Sequence, residues 1–240
     1  MTGTFINIIT VLIGGSLGLL FGARISDRVS QTVIAGLGLF TAAIGVQMFT
    51  ATENPIIVLG SLLIGGILGE WWRIEDRLHN FGALLERRFA GGKGENGEGS
   101  SFIRGFITAS LVFCVGPLTI LGSIQDGLTG DYTLLAIKSV LDGFAALAFA
   151  ASLGLGVLFS VIVIFVFQGG LSISATMVQD IITDSMISEM TAVGGLLLLG
   201  IAVSSLWEIK SIRVGNFLPA LFIAPVIVGV LAAFGIKYVL

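Results

Sequence analysis

The chain alternates long apolar runs with short polar interruptions. Eight runs approach the roughly 20 residues that span a bilayer as a helix. They cover Phe5–Gly22, Thr32–Phe49, Pro55–Trp71, Arg104–Ile124, Tyr132–Ala151, Leu155–Gly170, Glu189–Trp207 and Phe217–Gly235. The pattern predicts an all-α, polytopic transmembrane bundle of about eight spans. Two places resist simple division. "SLGLG" after Ala151 reads as a tight turn or an interruption within one helix. Residues 171–188 can hold a short amphipathic or re-entrant helix.

Composition supports this class. Of 240 residues, 55% are hydrophobic and only 11% are charged, against about 25% charged in a soluble domain. Mean hydropathy is +1.04. The 34 glycines suit helices whose backbones approach closely. Small-xxx-small patterns at Gly15, Gly18–Gly22, Gly65–Gly69 and Gly195 serve packing within one chain or a homo-oligomer equally well. "MTGTFINIIT" lacks the basic start of a cleavable signal peptide, so the first run is read as a membrane helix.

Charge placement sets the expected orientation through the positive-inside rule. Arg24 and Arg28, then Arg73 to Arg104, then Lys210 and Arg213 fall in loops on one side of an eight-span plan. The opposite loops carry Glu53, Asp126, Asp131, Asp180 and Asp184, with no Lys or Arg. The expectation is a multi-pass protein of the bacterial plasma (inner) membrane. Its 72–103 loop is cytoplasmic and both termini lie outside, with Lys237 the basic exception. Within that loop, Leu78, Phe81, Leu85 and Phe89 recur at helical spacing among charges, as in an amphipathic helix on a membrane surface. "AGGKGENGEGSS" follows as a flexible linker.

Two stretches resemble each other. "ISDRVSQTVIAGLGLF" from Ile25 and "ISEMTAVGGLLLLGI" from Ile187 each lead into a polar turn with Asn54 or Asn216, then a second apolar helix. By the expected orientation they run in opposite senses. The division is then a first helix triplet (1–71), a cytoplasmic amphipathic segment and linker (72–103), a central helix pair (104–151) and a second triplet (152–240). Inverted repeats of this kind build the two gates of secondary transporters around a midplane site.

The candidate chemistry lies in the central pair. Pro117 is placed to kink its first helix. Asp131 is placed to cap the second. At ~1.5 Å per residue, Lys138 lies roughly 10 Å and Asp142 roughly 16 Å along that helix from Asp131. Their i,i+4 spacing puts them on one face. A charge at the bilayer centre costs at least ~2.5 kcal/mol, so Asp142 must face a partner or an ion path. Two readings stay open: an ion, proton or solute site, or a neutralising pair that joins helices. Gln47, Gln125, Asp126, Asp131 and Gln168 complete the candidate pathway, and Cys114, Ser139, Ser152 and Ser160 are further polar groups at membrane depth.

Other chemistries lack support. One His and one Cys make neither a zinc site nor a disulfide. His79 is read as a solvated surface residue. No Ser–His pair, paired-aspartate protease signature, phosphate loop or nucleic-acid motif is present. We therefore expect no enzyme, no cofactor and no nucleic-acid partner. The expected partners are the lipid bilayer and a small ion or solute. The competing class is a non-transporting scaffold or regulatory partner working through "EWWRIEDRLHNFGALLERRF".

The motifs "GSIQDGLTGD", "KSVLDGF", "ISEMTAVGGLLLL", "IKSIRVGNFLPAL", "TENP" and "GGILGEWWRIEDRL" resemble the YqgA/YdfK-like bacterial inner-membrane proteins, a family known as domain of unknown function 554. The resemblance covers nearly the whole chain. It implies a bacterial plasma-membrane protein and brings no activity. Separately, "LDGFAALAFAASLGLG" is similar to a helix of manganese exporters and related sporulation membrane proteins, whose aspartate helps handle cations. Only Asp142 matches it, which implies at most a tilt toward cations.

Overall fold

The computed structural model describes residues 1–22, 26–89, 101–178 and 181–235. The linker expectation, Arg24, Asp180 and Lys237 lie outside them. The described helices are α1 (Thr2–Gly22), α2 (Asp27–Phe49), α3 (Pro55–Trp72), α4 (Ile74–Phe89), α5 (Ser101–Cys114) and α6 (Pro117–Thr129). After them come α7 (Thr133–Leu153), α8 (Gly156–Ile173), the single turn α9 (Ala175–Val178), α10 (Asp184–Ile201) and α11 (Ala220–Ala233). Among the described residues, seven helices are long and apolar enough to cross a membrane, and eight spans result if α5 and α6 count as one.

The fourth expected span, drawn as one helix over Arg104–Ile124, is two helices bent by 63°. The cause is local. Pro117 opens α6 at its first turn, where its missing N–H costs nothing, but the same ring cannot continue α5. The seventh span begins earlier than expected, at Asp184, where the Thr183 side chain accepts the Met186 N–H at 3.3 Å. It ends in a π turn over Ala202–Leu206. The described part of 171–188 holds the end of α8, the single turn α9 and the start of α10.

Contacts gather the chain into two units. Unit 1 holds residues 1–37 and 78–180, and unit 2 holds 38–77 and 181–240. Unit 1 thus joins α1 and α8 to the central helices α5–α7. Unit 2 joins the second half of α2 and all of α3 to α10 and α11.

Unit 1 is built on a seam of small residues. A Cβ added at Gly14, Gly18 or Gly22 would run into the backbone carbonyl of Gly143, Leu147 or Ala151 in turn. Glycine every fourth residue gives α1 a flat stripe on which α7 lies in backbone contact, the membrane form of close helix packing. Gly18→Leu is therefore expected to remove the folded, monodisperse species seen by size-exclusion chromatography in detergent. Gly36→Ala is the matched control, since nothing lies within 4 Å of its would-be Cβ. It should cost nothing and can add about 0.5–1 kcal/mol through helix propensity. Equal profiles for the two variants would rule out the seam.

The amphipathic segment is helical over Ile74–Phe89. Its aromatic face packs on protein: Phe81 meets Phe106 edge-on at 5.8 Å, and Phe89 meets Phe159 at 5.0 Å. Within unit 1 that face touches α5 and α8 only in part, since Phe89 stays 57% exposed and Leu84 on another face is 60% exposed.

Candidate functional site

The α1–α7 seam carries a polar cluster on its flank. Lys138 and Asp142 are one turn apart on α7, and the Lys138 ammonium donates to Asp142 Oδ2. The same oxygen accepts from Asn7 Nδ2 on α1 at 3.0 Å. All three residues are buried: 6% exposed for Lys138, 8% for Asp142 and 0% for Asn7. The spacing places the two charges on one helix face, and the glycine stripe brings α1 close enough for an Asn to reach them. Cys114 is buried at the end of α5 in the same unit.

A second carboxylate stands about one turn further out along α1. Asp126 on α6 has a side chain with no exposure, and its Oδ2 accepts from the Gly3 N–H at 3.0 Å and from the Met1 ammonium at 3.1 Å. From Gly3 to Asn7 is roughly 6 Å of helix rise, so α1 links the two carboxylates by backbone at one point and by side chain at the next. Gly127 packs against the Ser172 carbonyl, which brings α8 to the same end.

Polar atoms in this unit are unusually short of partners. Thr4 Oγ1 and Asn7 Oδ1 on α1, Ser123 Oγ and Asp126 Oδ1 on α6, and both polar atoms of Gln168 on α8 are buried with no hydrogen bond among the described residues. The same holds for Ser172 Oγ, Thr108 Oγ1 and Ser110 Oγ. A buried polar group left unpaired costs about 1–3 kcal/mol, and each such group needs an explanation.

The other expected pathway residues are placed differently. Asp131 is exposed. It accepts from Gln125 Nε2 at 2.8 Å, and from the Thr133 N–H and hydroxyl at 3.0 and 2.6 Å. Tyr132 occupies the cap position of α7, so Asp131 ties the helix start from one residue further out. The Thr133 hydroxyl bond holds the Asp131 carboxyl below the usual carboxylate range. Gln47 is exposed and belongs to unit 2. Among the described residues, no three His, Cys, Asp or Glu side chains group as metal ligands would.

Sequence reasoning passed over two polar residues. Asn7 stood alone in an apolar helix, which is itself the usual mark of an interhelical contact. Glu189 is fully buried in unit 2 and accepts from Thr52 Oγ1 at 2.7 Å and from the Glu53 and Asn54 N–H groups at 2.8 and 2.9 Å. It had registered only as part of the "ISE" likeness. Its depth follows from α10 beginning one and a half turns earlier than the apolar run.

A family model described as "Protein of unknown function (DUF554)" matches residues 2–229. The chain belongs to the DUF554 family. Two curated relatives share this architecture in sequence. "Uncharacterized membrane protein YdfK" of Bacillus subtilis (strain 168) is 33% identical over 99% of this chain and 100% of its own length. "Uncharacterized protein YqgA" of Escherichia coli (strain K12) is 34% identical over 92% of this chain and 94% of its own. No solved structure matches the chain. The DUF554 assignment, the printed description of YdfK and the apolar helices agree on a multi-pass membrane protein.

Proposed function

We propose that this protein is a secondary transporter or exchanger of a small ion or solute, with Asp142 at its centre. The observation that carries this reading is the buried Lys138–Asp142–Asn7 cluster, in a unit that also holds buried polar atoms without partners on α1, α5, α6 and α8. A pair that served only to neutralise charge needs no such surroundings. A path for a hydrated or hydrogen-bonding solute does, because the passing solute supplies the missing partners.

The inverted-repeat reading has support of the same kind. Each unit takes members from the two triplets: α1 with α8 in one, and α3 and the second half of α2 with α10–α11 in the other. Within unit 2, the turn before α3 and the turn before α11 are gripped alike. The Glu53 N–H donates to Glu189, and the Gly215 N–H donates to Glu75 Oε2 at 2.6 Å. In both copies the gripped residue immediately precedes an asparagine, Asn54 or Asn216. The small solute, in this reading a cation by preference, then crosses a bacterial plasma membrane between two alternating closures.

The primary test is flux in proteoliposomes holding a trapped pH-sensitive dye. Pulses of Na⁺, K⁺, Mg²⁺ and Mn²⁺ should produce a dye response for at least one cation, and Asp142→Asn should abolish it. Undiminished response in that variant removes Asp142 from the mechanism. A phenotype lost on disruption of α4 but kept in Asp142→Asn would favour the scaffold reading instead.

Cys114, the chain's only cysteine, reports directly on water access. It is 5% exposed, so a dry structural core should shield it completely. Access through a solute path predicts slow but complete modification of the membrane-embedded protein by a small charged methanethiosulfonate reagent. A thiol that stays unmodified until detergent unfolding would count against a water-filled path at this depth.

A further inference from the structure

Unit 2 carries two furrows that the transport reading does not use. The larger encloses about 760 Å³ and runs along α3 past Leu62, Leu63, Gly66 and Ile67 to a polar rim at Lys210 and Arg213. The smaller encloses about 290 Å³ and is walled by Leu62, Leu196, Leu199, Val203 and Phe217. The two share Leu62, Ile212 and Phe217 as common walls, so they diverge from one region. From Leu62 to Trp71 the α3 backbone rises roughly 13 Å, comparable to the upper half of an acyl chain.

The rim has a defined charge. Arg213 Nη1 is paired with Glu70 Oε1 at 3.0 Å, and Asn216 Nδ2 donates to Glu70 Oε2 at 2.6 Å. Those bonds commit Glu70. Lys210 is exposed and makes no ion pair among the described residues. One uncommitted positive charge remains, beside the Ser211 hydroxyl. Trp71, 78% exposed at the same rim, is the residue type that settles at headgroup level.

We propose that this surface is a binding site for one diacyl anionic phospholipid. Its acyl chains occupy the two furrows, and its phosphodiester is held by Lys210 and Ser211. The match rests on two apolar furrows with common walls, one of which carries an exposed cation without an ion pair at its rim, which is the form of a two-chain lipid with one negative charge. A zwitterionic headgroup would add a second positive charge beside Lys210. A free phosphate would leave both furrows unused.

Native mass spectrometry of the full chain in detergent tests this, with phosphatidylglycerol and phosphatidylcholine of identical acyl chains as probes. The wild type should retain phosphatidylglycerol preferentially. Lys210→Gln should weaken that retention about five-fold, the effect of one basic residue near an anionic lipid, and Lys210→Arg should restore it. Ile67→Trp, which obstructs the larger furrow from an exposed position, should weaken it with Lys210 intact. Equal retention of the two lipids, or a preference that survives Lys210→Gln, overturns the proposal. So does displacement of the lipid by glycerol 1-phosphate alone, which would mark a free-anion site. A dimer mass lost in Ile67→Trp without any lipid effect would instead assign the furrows to a second copy of the chain.

Discussion

Asp142→Leu should be the most damaging single substitution in the central helices, and adding Lys138→Met should restore the fold but not the flux. Alone, the first change leaves the Lys138 ammonium buried with no counter-charge. Breaking a buried pair from one side costs about 3–5 kcal/mol, a large part of a typical stability of about 5–15 kcal/mol. Replacing both partners by apolar groups of similar size removes the desolvation cost of both charges and is often neutral or better. The double variant therefore separates the two readings that Lys138 and Asp142 admit. If the pair only joins α7 to its neighbours, melting temperature and proteoliposome flux recover together. If Asp142 handles the solute, melting recovers and flux stays at the level of empty vesicles. Asn7→Leu is a milder probe, since it removes one donor to Asp142 Oδ2 and leaves the charge pair whole. It should reduce flux by less than Asp142→Asn.

The spans were legible because membrane helices announce themselves by length and apolarity, and both signals are local. The bend between α5 and α6 was half legible: Pro117 marked the place, but a proline can kink a span or end it. The choice depends on whether the two halves find separate packing surfaces. Gly127 of α6 meets Ser172 on α8, and Gly156 of α8 meets Phe102 on α5. Those contacts join residues far apart in sequence, and no window of sequence contains them.

The site divides along the same line. Lys138 and Asp142 were found because a charge inside an apolar helix is costly wherever it points, and their spacing fixed a shared face. Their partner was not found, because Asn7 reaches Asp142 only through the backbone contact of α1 with α7. Gly18 and Gly22 stand out as a pattern but do not name the helix they face, and Gly14 is not part of the pattern read from the sequence. Asp126 and Asp131 share the turn "IQDGLTGD", where only Asp131 has a sequence-level role, as a helix cap. The structure separates them, with one buried against the start of α1 and the other exposed and tied to Thr133.

Glu189→Ala should be the most destabilising change in unit 2. Glu189 is wholly buried, and its two oxygens take a hydroxyl and two consecutive backbone N–H groups from the turn before α3. That turn also starts α3: Asn54 Oδ1 caps the Ile56 N–H at 3.0 Å, and Pro55 occupies the first helical position. Truncation to Ala strands the Thr52 hydroxyl and the Glu53 N–H, leaves the Asn54 N–H only its 3.1 Å bond to Thr52 Oγ1, and loosens the start of a membrane helix. At about 1–3 kcal/mol for each unsatisfied group, with partial rescue by water at a turn that is only partly buried, the expected loss is about 3 kcal/mol. Thr52→Val removes the hydroxyl bond to Glu189 and the second acceptor of the Asn54 N–H, which keeps Glu189, and should cost about 1 kcal/mol. Glu189→Gln keeps one carbonyl oxygen as acceptor and should fall between them. The order of melting temperatures in detergent, wild type above Thr52→Val, then Glu189→Gln, then Glu189→Ala, checks the assignment. A Glu189→Ala variant that melts with the wild type would show that the turn is held by something other than this carboxylate. If the turn is also one closure of an alternating pair, Thr52→Val should alter flux more than its small stability cost explains, because it weakens a bond that must break and reform in every cycle.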